Sequence, residues 1–376
     1  MSGCLNPLFS VKWPRSATEV HVHLGGSVPL YRLWEIAVDR GVRGLGDGYE
    51  SFINLLSIGE NGHKDLDSYL EVYDKVELIQ SGPSAVRESV IIALHRAYRT
   101  GGMLQLGPGG EECHPLPLFR IRRLELRLNP MKRTGAVSLK GKHAGLYDVD
   151  RIIKSACEAV EDVELAFKGD LQAGLIFCFG RDMTFEANRT LAKKIASWKK
   201  QTSKIIGIDL AGPESVNSLA DRKRLEEMKT VFDLAGSGLG RTVHAGETLY
   251  TDMDTFIRTI ETLAPQRVAH PIVAFREHWY KNDDRGLKIL KERGIVCELC
   301  VRSNLLTGAV KNLAEYRKIL ETLDRFDIPY TFSTDAPSLQ GSSLADEMAL
   351  LIKNDIAHPD QILKAFRAAE TATFLR

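Results

Sequence analysis

The stretch Glu19-Val20-His21-Val22-His23-Leu24 decides how the rest of the chain is interpreted. Side chains alternate along a β-strand, so a strand here places His21 and His23 on one face and the apolar side chains on the other. Two imidazoles about 6–7 Å apart along a strand can bind one metal ion. An isolated His-x-His pair also occurs without a metal, so this interpretation depends on further ligands at the ends of later strands.

Composition narrows the class of protein. The chain has 376 residues, 44% hydrophobic and 26% charged, with 50 basic and 49 acidic side chains. The near-zero net charge predicts a small-molecule partner, with no specific nucleic acid and no membrane. Six scattered cysteines indicate a reduced compartment. Residues 1–18 lack an apolar leader and no apolar run approaches the length of a membrane span, so we expect a cytoplasmic protein.

Apolar runs alternate with amphipathic patterns along most of the chain. They predict eight strands, at residues 19–24, 123–128, 173–179, 205–210, 241–245, 267–269, 295–299 and 330–333. Several are near-continuous apolar runs, which is typical of parallel strands buried on both faces. No linker or short repeat divides the sequence. We therefore predict one α/β domain over residues 1–376, a (β/α)8 barrel of the TIM type with additional helices.

Three segments carry no regular pattern. Residues 43–64 are Gly-rich and are predicted to be irregular, and residues 131–146 to be an exposed basic loop. Residues 101–119 contain five Gly and three Pro, which predicts a loop or local insertion. Whether the chain is part of a longer protein is left open.

Polar side chains capable of chemistry gather at the predicted strand ends, where a barrel places its active site. They are His21 and His23 on strand one, His244 and Glu247 at strand five, His270 at strand six and Asp335 at strand eight. Three imidazoles and one carboxylate form a ligand set suited to Zn2+, which lowers the pKa of bound water to about 7. Glu247 and His270 are then the candidates for proton transfer and charge stabilisation. Taken alone, Glu247 is better explained as an acid favoured at a helix N-terminus, but beside the other candidate ligands the catalytic interpretation is favoured.

Six short motifs occur together and in order between residues 19 and 337. They are His21-Val-His-Leu-x-Gly26, Ile208-Asp-Leu-Ala-Gly212, His244-Ala-Gly-Glu247, Arg267-Val-x-His270, Ser303-x-x-x-Thr307-Gly308 and Ser333-Thr-Asp335-x-Pro337. In this combination the chain resembles the adenosine deaminase family of metal-dependent aminohydrolases.

The resemblance implies a role for each site residue. One Zn2+ per chain would be bound by His21, His23, His244 and Asp335. Glu247 would protonate a ring nitrogen of the purine and pass the proton to the leaving ammonia. His270 would position the attacking hydroxide, and Asp335 would help to deprotonate it. Substrate contacts would come from the backbone of Gly212, from His23 and Gly25, and from Tyr69 and Tyr73 on a helix that resembles the apolar lid of the family.

Two departures from the family pattern concern substrate recognition. Gly25 stands where the family usually has an Asp that contacts the ribose 5′ end, and Ala336 replaces a second Asp on strand eight. Loss of the first carboxylate predicts reduced repulsion of a phosphate or room for a larger 5′ group. Arg127, Arg181 or the basic loop at 131–142 are then candidate phosphate contacts. The expected function is zinc-dependent hydrolytic deamination at C6 of an adenine-containing nucleoside or nucleotide; homo-oligomerisation stays open.

Two alternative functions are compatible with parts of the sequence. A different mononuclear amidohydrolase would share the metal ligands but act on another substrate. Strand four ends in Leu210-Ala211-Gly212, without the Lys or carboxylate that a second metal requires. A non-catalytic nucleoside-binding barrel is disfavoured because every metal and proton-transfer residue is retained. Cys297-x-x-Cys300 lacks the second pair of a zinc ribbon and is predicted to be buried packing.

Overall fold

The computed structural model describes residues 13–59, 65–100, 119–135, 147–216 and 218–376. Eight parallel strands follow one another around a barrel in the order of the sequence. They are β1 (Ser16–His23), β2 (Arg120–Leu128), β3 (Gln172–Gly180), β4 (Ile205–Ala211), β5 (Gly240–His244), β6 (Arg267–Ala269), β7 (Val296–Leu299) and β8 (Tyr330–Phe332).

The barrel closes between its first and last strands at the carboxyl end. The His23 amide donates to the Asp335 carbonyl at 2.8 Å, and the Asp335 amide donates to the His21 carbonyl at 3.0 Å. These bonds accompany a parallel bridge between Val22 and Asp335. The predicted (β/α)8 barrel is thereby confirmed, and its closure brings the His-x-His strand beside Asp335.

Helices surround the barrel and cover its carboxyl end. They are α1 (Leu24–Ser27), α2 (Leu30–Asp39), α3 (Tyr49–Leu56), α4 (Leu66–Ile79), α5 (Pro83–Thr100), α6 (Val149–Ala166), α7 (Phe185–Trp198), α8 (Arg222–Ala235), α9 (Met253–Leu263), α10 (Ile272–Lys281), α11 (Arg285–Glu292), α12 (Val301–Leu306), α13 (Leu313–Arg325), α14 (Leu344–Lys353) and α15 (Pro359–Ala372). A short 3-10 turn spans Met131–Arg133. Several helices begin at a side-chain cap, as where Asp65 accepts from the Ser68 amide at 2.8 Å.

Two apolar clusters hold these elements. The larger lies between the strands and the outer helices. The smaller joins α2, α3 and α4 and includes Phe52, Val76, Ala336 and Leu339. Because Ala336 directly follows Asp335, the second cluster fixes α4 over the carboxyl end of the barrel.

Two local predictions were wrong. Residues 43–64 contain the helix α3, whose Phe52 and Leu56 are fully buried, so an amphipathic face was hidden by flanking glycines. The predicted exposed loop at 131–146 begins with a 3-10 turn in which Met131 and Arg133 are buried. Residues 136–146, and residues 101–118 of the other predicted loop, lie outside the described residues, so these parts stay predictions. Among the helices that are described, none is long and apolar enough to cross a membrane.

Candidate active site

Four side chains converge at the carboxyl end of the barrel. His21 and His23 lie at the end of β1, His244 ends β5, and Asp335 follows β8. The His23 and His244 Nε2 atoms are 3.3 Å apart. The Asp335 Oδ1 lies 3.8 Å from His21 Nε2 and 3.7 Å from His23 Nε2. This clustering of nitrogen and oxygen atoms in a buried site is what a bound cation would stabilise.

Two carboxylates fix which ring nitrogens face the centre of this cluster. Glu298 Oε2 lies 2.7 Å from His21 Nδ1, and Asp209 Oδ2 lies 3.1 Å from His244 Nδ1. Each carboxylate holds the Nδ1 proton, which leaves the Nε2 lone pair available for a metal. His21 Nε2 is buried and has no hydrogen-bond partner among the described residues. The donor set therefore fits a metal ion.

A buried arginine joins the two carboxylates beneath the cluster. Arg127 donates to Asp209 Oδ2 at 3.1 Å and to Glu298 Oε2 at 2.5 Å, and all three side chains are fully buried. Arg127 also lines the cavity, but these two carboxylates already neutralise its charge, which argues against the suggestion that it binds a substrate phosphate. Arg181 is likewise occupied, donating to the backbone carbonyls of Gly212 and His244.

Glu247 is the carboxyl group best placed to carry a proton. It is 4% exposed, and its Oε1 accepts a hydrogen bond from the Thr307 hydroxyl at 2.9 Å. Burial, together with the nearby carboxylates of Glu214 and Asp335, raises the pKa of Glu247 to about 8. The side chain is accordingly protonated at neutral pH and can donate a proton to a ligand.

His270 and Asp335 both adopt left-handed backbone conformations, with φ of 53° and 61°. Such conformations are uncommon outside glycine and are enriched at functional sites. The Asp335 Oδ2 accepts from the Ser303 hydroxyl at 2.6 Å, which leaves Oδ1 facing the histidines. Burial and the neighbouring His244 lower the pKa of His270 to about 4, so its imidazole is neutral.

A cavity of about 300 Å³ opens above these groups, within the size range of small-molecule sites. Almost all of the site residues predicted from the sequence line this cavity. They are His23, Gly25, Tyr69, Tyr73, Gly212, His244, Glu247, His270 and Asp335. His21 lies directly behind the lining, with its ring centroid 5.2 Å from that of His23. Leu66, Leu70 and Tyr73 of α4 form one wall, so the helix that was predicted to resemble the family's lid lies beside the cavity.

Gly25 does not create the expected extra room. A Cβ atom at this position would lie 2.9 Å from Cδ1 of Tyr73 and 3.7 Å from an Arg133 guanidinium nitrogen. The ring of Tyr73 therefore fills the space that a side chain at residue 25 would take. The idea that the glycine makes space for a larger 5′ group is wrong.

The comparisons with known proteins decide the family. A family model described as adenosine deaminase matches residues 120–372.

The chain belongs to the adenosine deaminase family.

The sequence-based resemblance is thereby confirmed, as is the expected enzyme class, since this is a family of hydrolytic deaminases within the amidohydrolase superfamily.

Curated members of the family align over different lengths. An adenosine deaminase of Clostridium acetobutylicum is 26% identical over 88% of this chain and 84% of its own length. An adenosine deaminase of Clostridium kluyveri is 31% identical, but that alignment spans only 54% of each protein. An aminodeoxyfutalosine deaminase of Streptomyces coelicolor is 24% identical over 88% of this chain and 73% of its own length.

Solved structures share the fold at lower identity. The adenine deaminase of Arthrobacter aurescens superposes with a TM-score of 0.76 at 18% identity, covering 97% of this chain and 95% of that one. An Arabidopsis N6-mAMP deaminase gives a TM-score of 0.72 at 18% identity, covering 96% and 94%. These likenesses agree with the barrel described above.

Sequence reasoning missed several residues that organise the site of this adenosine deaminase family member. Asp209 and Glu298 were given no role, although each is a charge inside a buried strand. Ser303 and Thr307 were noted only as part of a motif, and their hydrogen bonds to Asp335 and Glu247 were not predicted. Cys300 also lies beside His21 and His270. Because burial raises the pKa of the Cys300 thiol well above its usual range, it stays protonated, consistent with its prediction as buried packing.

Proposed function

We propose that this chain is a zinc-dependent deaminase that replaces the C6 amino group of an adenine nucleoside by oxygen and releases ammonia. The observation that carries the proposal is the convergence of three imidazoles and Asp335 beside a protonated Glu247. His21, His23, His244 and Asp335 would hold one Zn2+. The ion supplies Lewis acidity, which brings the pKa of water down to about 7.

The protein groups divide the proton transfers between them. Glu247 donates its proton to a ring nitrogen of the purine, which makes C6 a better electrophile. Asp335 takes a proton from the attacking water, and His270 orients that water. Glu247, now ionised, takes the proton of the new C6 hydroxyl and passes it to the amino group, which leaves as ammonia as the C6–N bond breaks. Return of the proton from Asp335 to Glu247 restores both side chains. Neither the net reaction nor any step requires a redox cofactor.

The charges that line the cavity favour an uncharged substrate. Lys132 lies 2.8 Å from Asp182, and Arg133 lies 3.0 Å from Glu77. Asp74 also lines the cavity, so carboxylates outnumber cations among these residues. A phosphate dianion would meet no unneutralised positive charge among these residues. A nucleoside is therefore favoured over a nucleotide.

Ammonia release by zinc-loaded protein tests the activity. The panel is adenine, adenosine, 2′-deoxyadenosine, 5′-methylthioadenosine, aminodeoxyfutalosine and AMP. We expect release from a nucleoside, with kcat/KM for adenosine above that for AMP. A preference for AMP would contradict the charge argument while leaving the deaminase intact. Zinc-loaded protein that releases ammonia from none of them would support a different amidohydrolase substrate or a non-catalytic nucleoside-binding barrel.

Gly25→Ala is expected to weaken substrate binding through Tyr73. The new methyl group would push the Tyr73 ring, 2.9 Å from the added Cβ, towards the cavity. Overpacking of this kind costs about 1–3 kcal/mol, so KM should rise roughly tenfold. Steady-state kinetics measure the change. Gly48→Ala is the matched control, because a Cβ there meets nothing within 4 Å; equal KM values for the two variants would refute the prediction.

A further inference from the structure

We propose that Asn304 and Tyr316 are positioning residues that hold His270 in the tautomer whose proton is on Nε2. The inference deepens the proposed function, because it rests on His270 facing the attacking water in that reaction. Its direct readout is the protonation of one ring nitrogen, which is measured without reference to catalysis.

The three side chains form a buried chain of hydrogen bonds. The Asn304 Nδ2 lies 2.8 Å from His270 Nδ1, and the Tyr316 hydroxyl lies 3.1 Å from Asn304 Oδ1. His270 is 1% exposed, and the other two are fully buried. The backbone of Asn304 is fixed within α12, where its backbone N–H donates to the Cys300 carbonyl at 2.9 Å. Tyr316 lies on α13. The side-chain amide of Asn304 is therefore held by its own helix and by a hydrogen-bond partner on the next one.

The hydroxyl proton of Tyr316 determines which group donates in each of these two hydrogen bonds. Burial raises the pKa of Tyr316 well above its usual value, so the hydroxyl keeps its proton. Asn304 Oδ1 is the acceptor found for that proton in the described part of the chain. Exchanging the amide oxygen and nitrogen of Asn304 would leave the phenolic proton buried without an acceptor, at a cost of about 1–3 kcal/mol. The oxygen of Asn304 therefore faces Tyr316, and its NH2 group faces His270.

This orientation sets the tautomer. The Asn304 amide donates, so His270 Nδ1 must accept, and a neutral imidazole then carries its proton on Nε2. Nε2 points away from Asn304, on the ring that lines the cavity and lies 5.1 Å from the ring of His21. His270 consequently acts as a hydrogen-bond donor to the attacking oxygen. Asp335 is then the group that accepts the proton of the water.

Nitrogen-15 spectra of zinc-loaded protein labelled in its histidine rings test the assignment. Signals of His270 are identified by their loss in His270→Gln. We expect a protonated Nε2 and an unprotonated Nδ1 in the wild type. Asn304→Asp places an acceptor at Nδ1 and should move the proton there, and Tyr316→Phe should give a mixture of both tautomers. Wild-type protein with its proton on Nδ1 would overturn the proposal.

Kinetics and a matched control complete the experiment. Asn304→Asp should lower kcat about a hundredfold with little change in KM, as expected for loss of one oriented donor. Tyr330→Phe is the control, because Tyr330 is also buried and its hydroxyl has no partner among the described residues. An unchanged His270 spectrum in Tyr316→Phe would remove Tyr316 from the proposal. If the wild type shows the expected tautomer but releases no ammonia, the positioning inference stands and the proposed reaction fails.

Discussion

Glu247→Gln is expected to lower kcat by about 10²–10⁴-fold, the usual contribution of a general acid. Glutamine keeps the size of the side chain and can still accept the hydrogen bond from Thr307, 2.9 Å away in the native protein. It cannot transfer a proton to the purine ring. Ammonia release and bound zinc are measured on the same preparation, and the zinc content should not change, because Glu247 is not among the proposed ligands.

The control for this variant is Glu347→Gln. Glu347 is also fully buried, and burial likewise raises its pKa to about 8, but it lies on α14 and is not part of the cavity lining. Its amide variant should leave kcat essentially unchanged. Retention of more than roughly a tenth of the activity in Glu247→Gln would contradict the assignment of the general acid.

The pH profile gives an independent check of Glu247. Its raised pKa means that the acid is protonated below about 8 and ionised above it. Since the protonated form is the one that donates, kcat/KM should be sustained below that pH and fall as pH rises through it. A profile of Glu247→Gln that kept the same alkaline limb would assign the limb to another group.

The position of the site was predictable because it depends on local patterns. Alternation along β1 placed His21 and His23 on one face, and barrel topology gathers the carboxyl ends of all strands. His244, Asp335 and Glu247 could be added without any long-range contact. The helix α4 beside the cavity was also predictable, since Leu66, Tyr69 and Tyr73 recur at helical spacing after the Asp65 cap.

The support beneath the site was not predicted, because its contacts join distant strands. Arg127 meets Asp209 and Glu298 only after β2, β4 and β7 have closed into the barrel. A signal for these residues did exist in the sequence. Each is a charge within a strand that is otherwise buried, and a buried charge requires a partner. The sequence pattern did not show that Arg127 pairs with Asp209 and Glu298.

Gly25 shows a different limit of prediction. The loss of an expected carboxylate was correctly noticed, but the consequence depended on Tyr73, which lies 48 positions further along the chain. Only packing reveals that the ring of Tyr73 covers the glycine. A missing side chain in a sequence therefore says little about free volume until its neighbours are known.

Arg127→Met is expected to lower the free energy of unfolding by about 3–5 kcal/mol, because it leaves buried carboxylates without their counter-charge. Although burial opposes ionisation, Arg127 and Arg267 lower the pKa of Glu298 to about 2. Arg267 would remain, with its Nε 2.6 Å from Glu298. Asp209 would lose its guanidinium partner altogether. Protonation of either carboxyl group would weaken its hold on a histidine Nδ1–H, so zinc affinity should also fall about 10–100-fold.

Urea unfolding and zinc titration measure the two effects, with Arg32→Met as the matched control. Arg32 also contacts two carboxylates, Glu35 at 2.6 Å and Glu88 at 2.9 Å, but its side chain is 34% exposed. A surface arrangement of this kind contributes about 0–1 kcal/mol. Arg127→Lys keeps the charge but cannot bridge both carboxylates with a planar fork, so it should fall between the wild type and Arg127→Met. If Arg127→Met unfolds no more readily than Arg32→Met and binds zinc as the wild type does, the buried arginine does not organise the metal ligands. The opposite result would show that the positions of His21 and His244 depend on a buried arginine that acts through Asp209 and Glu298.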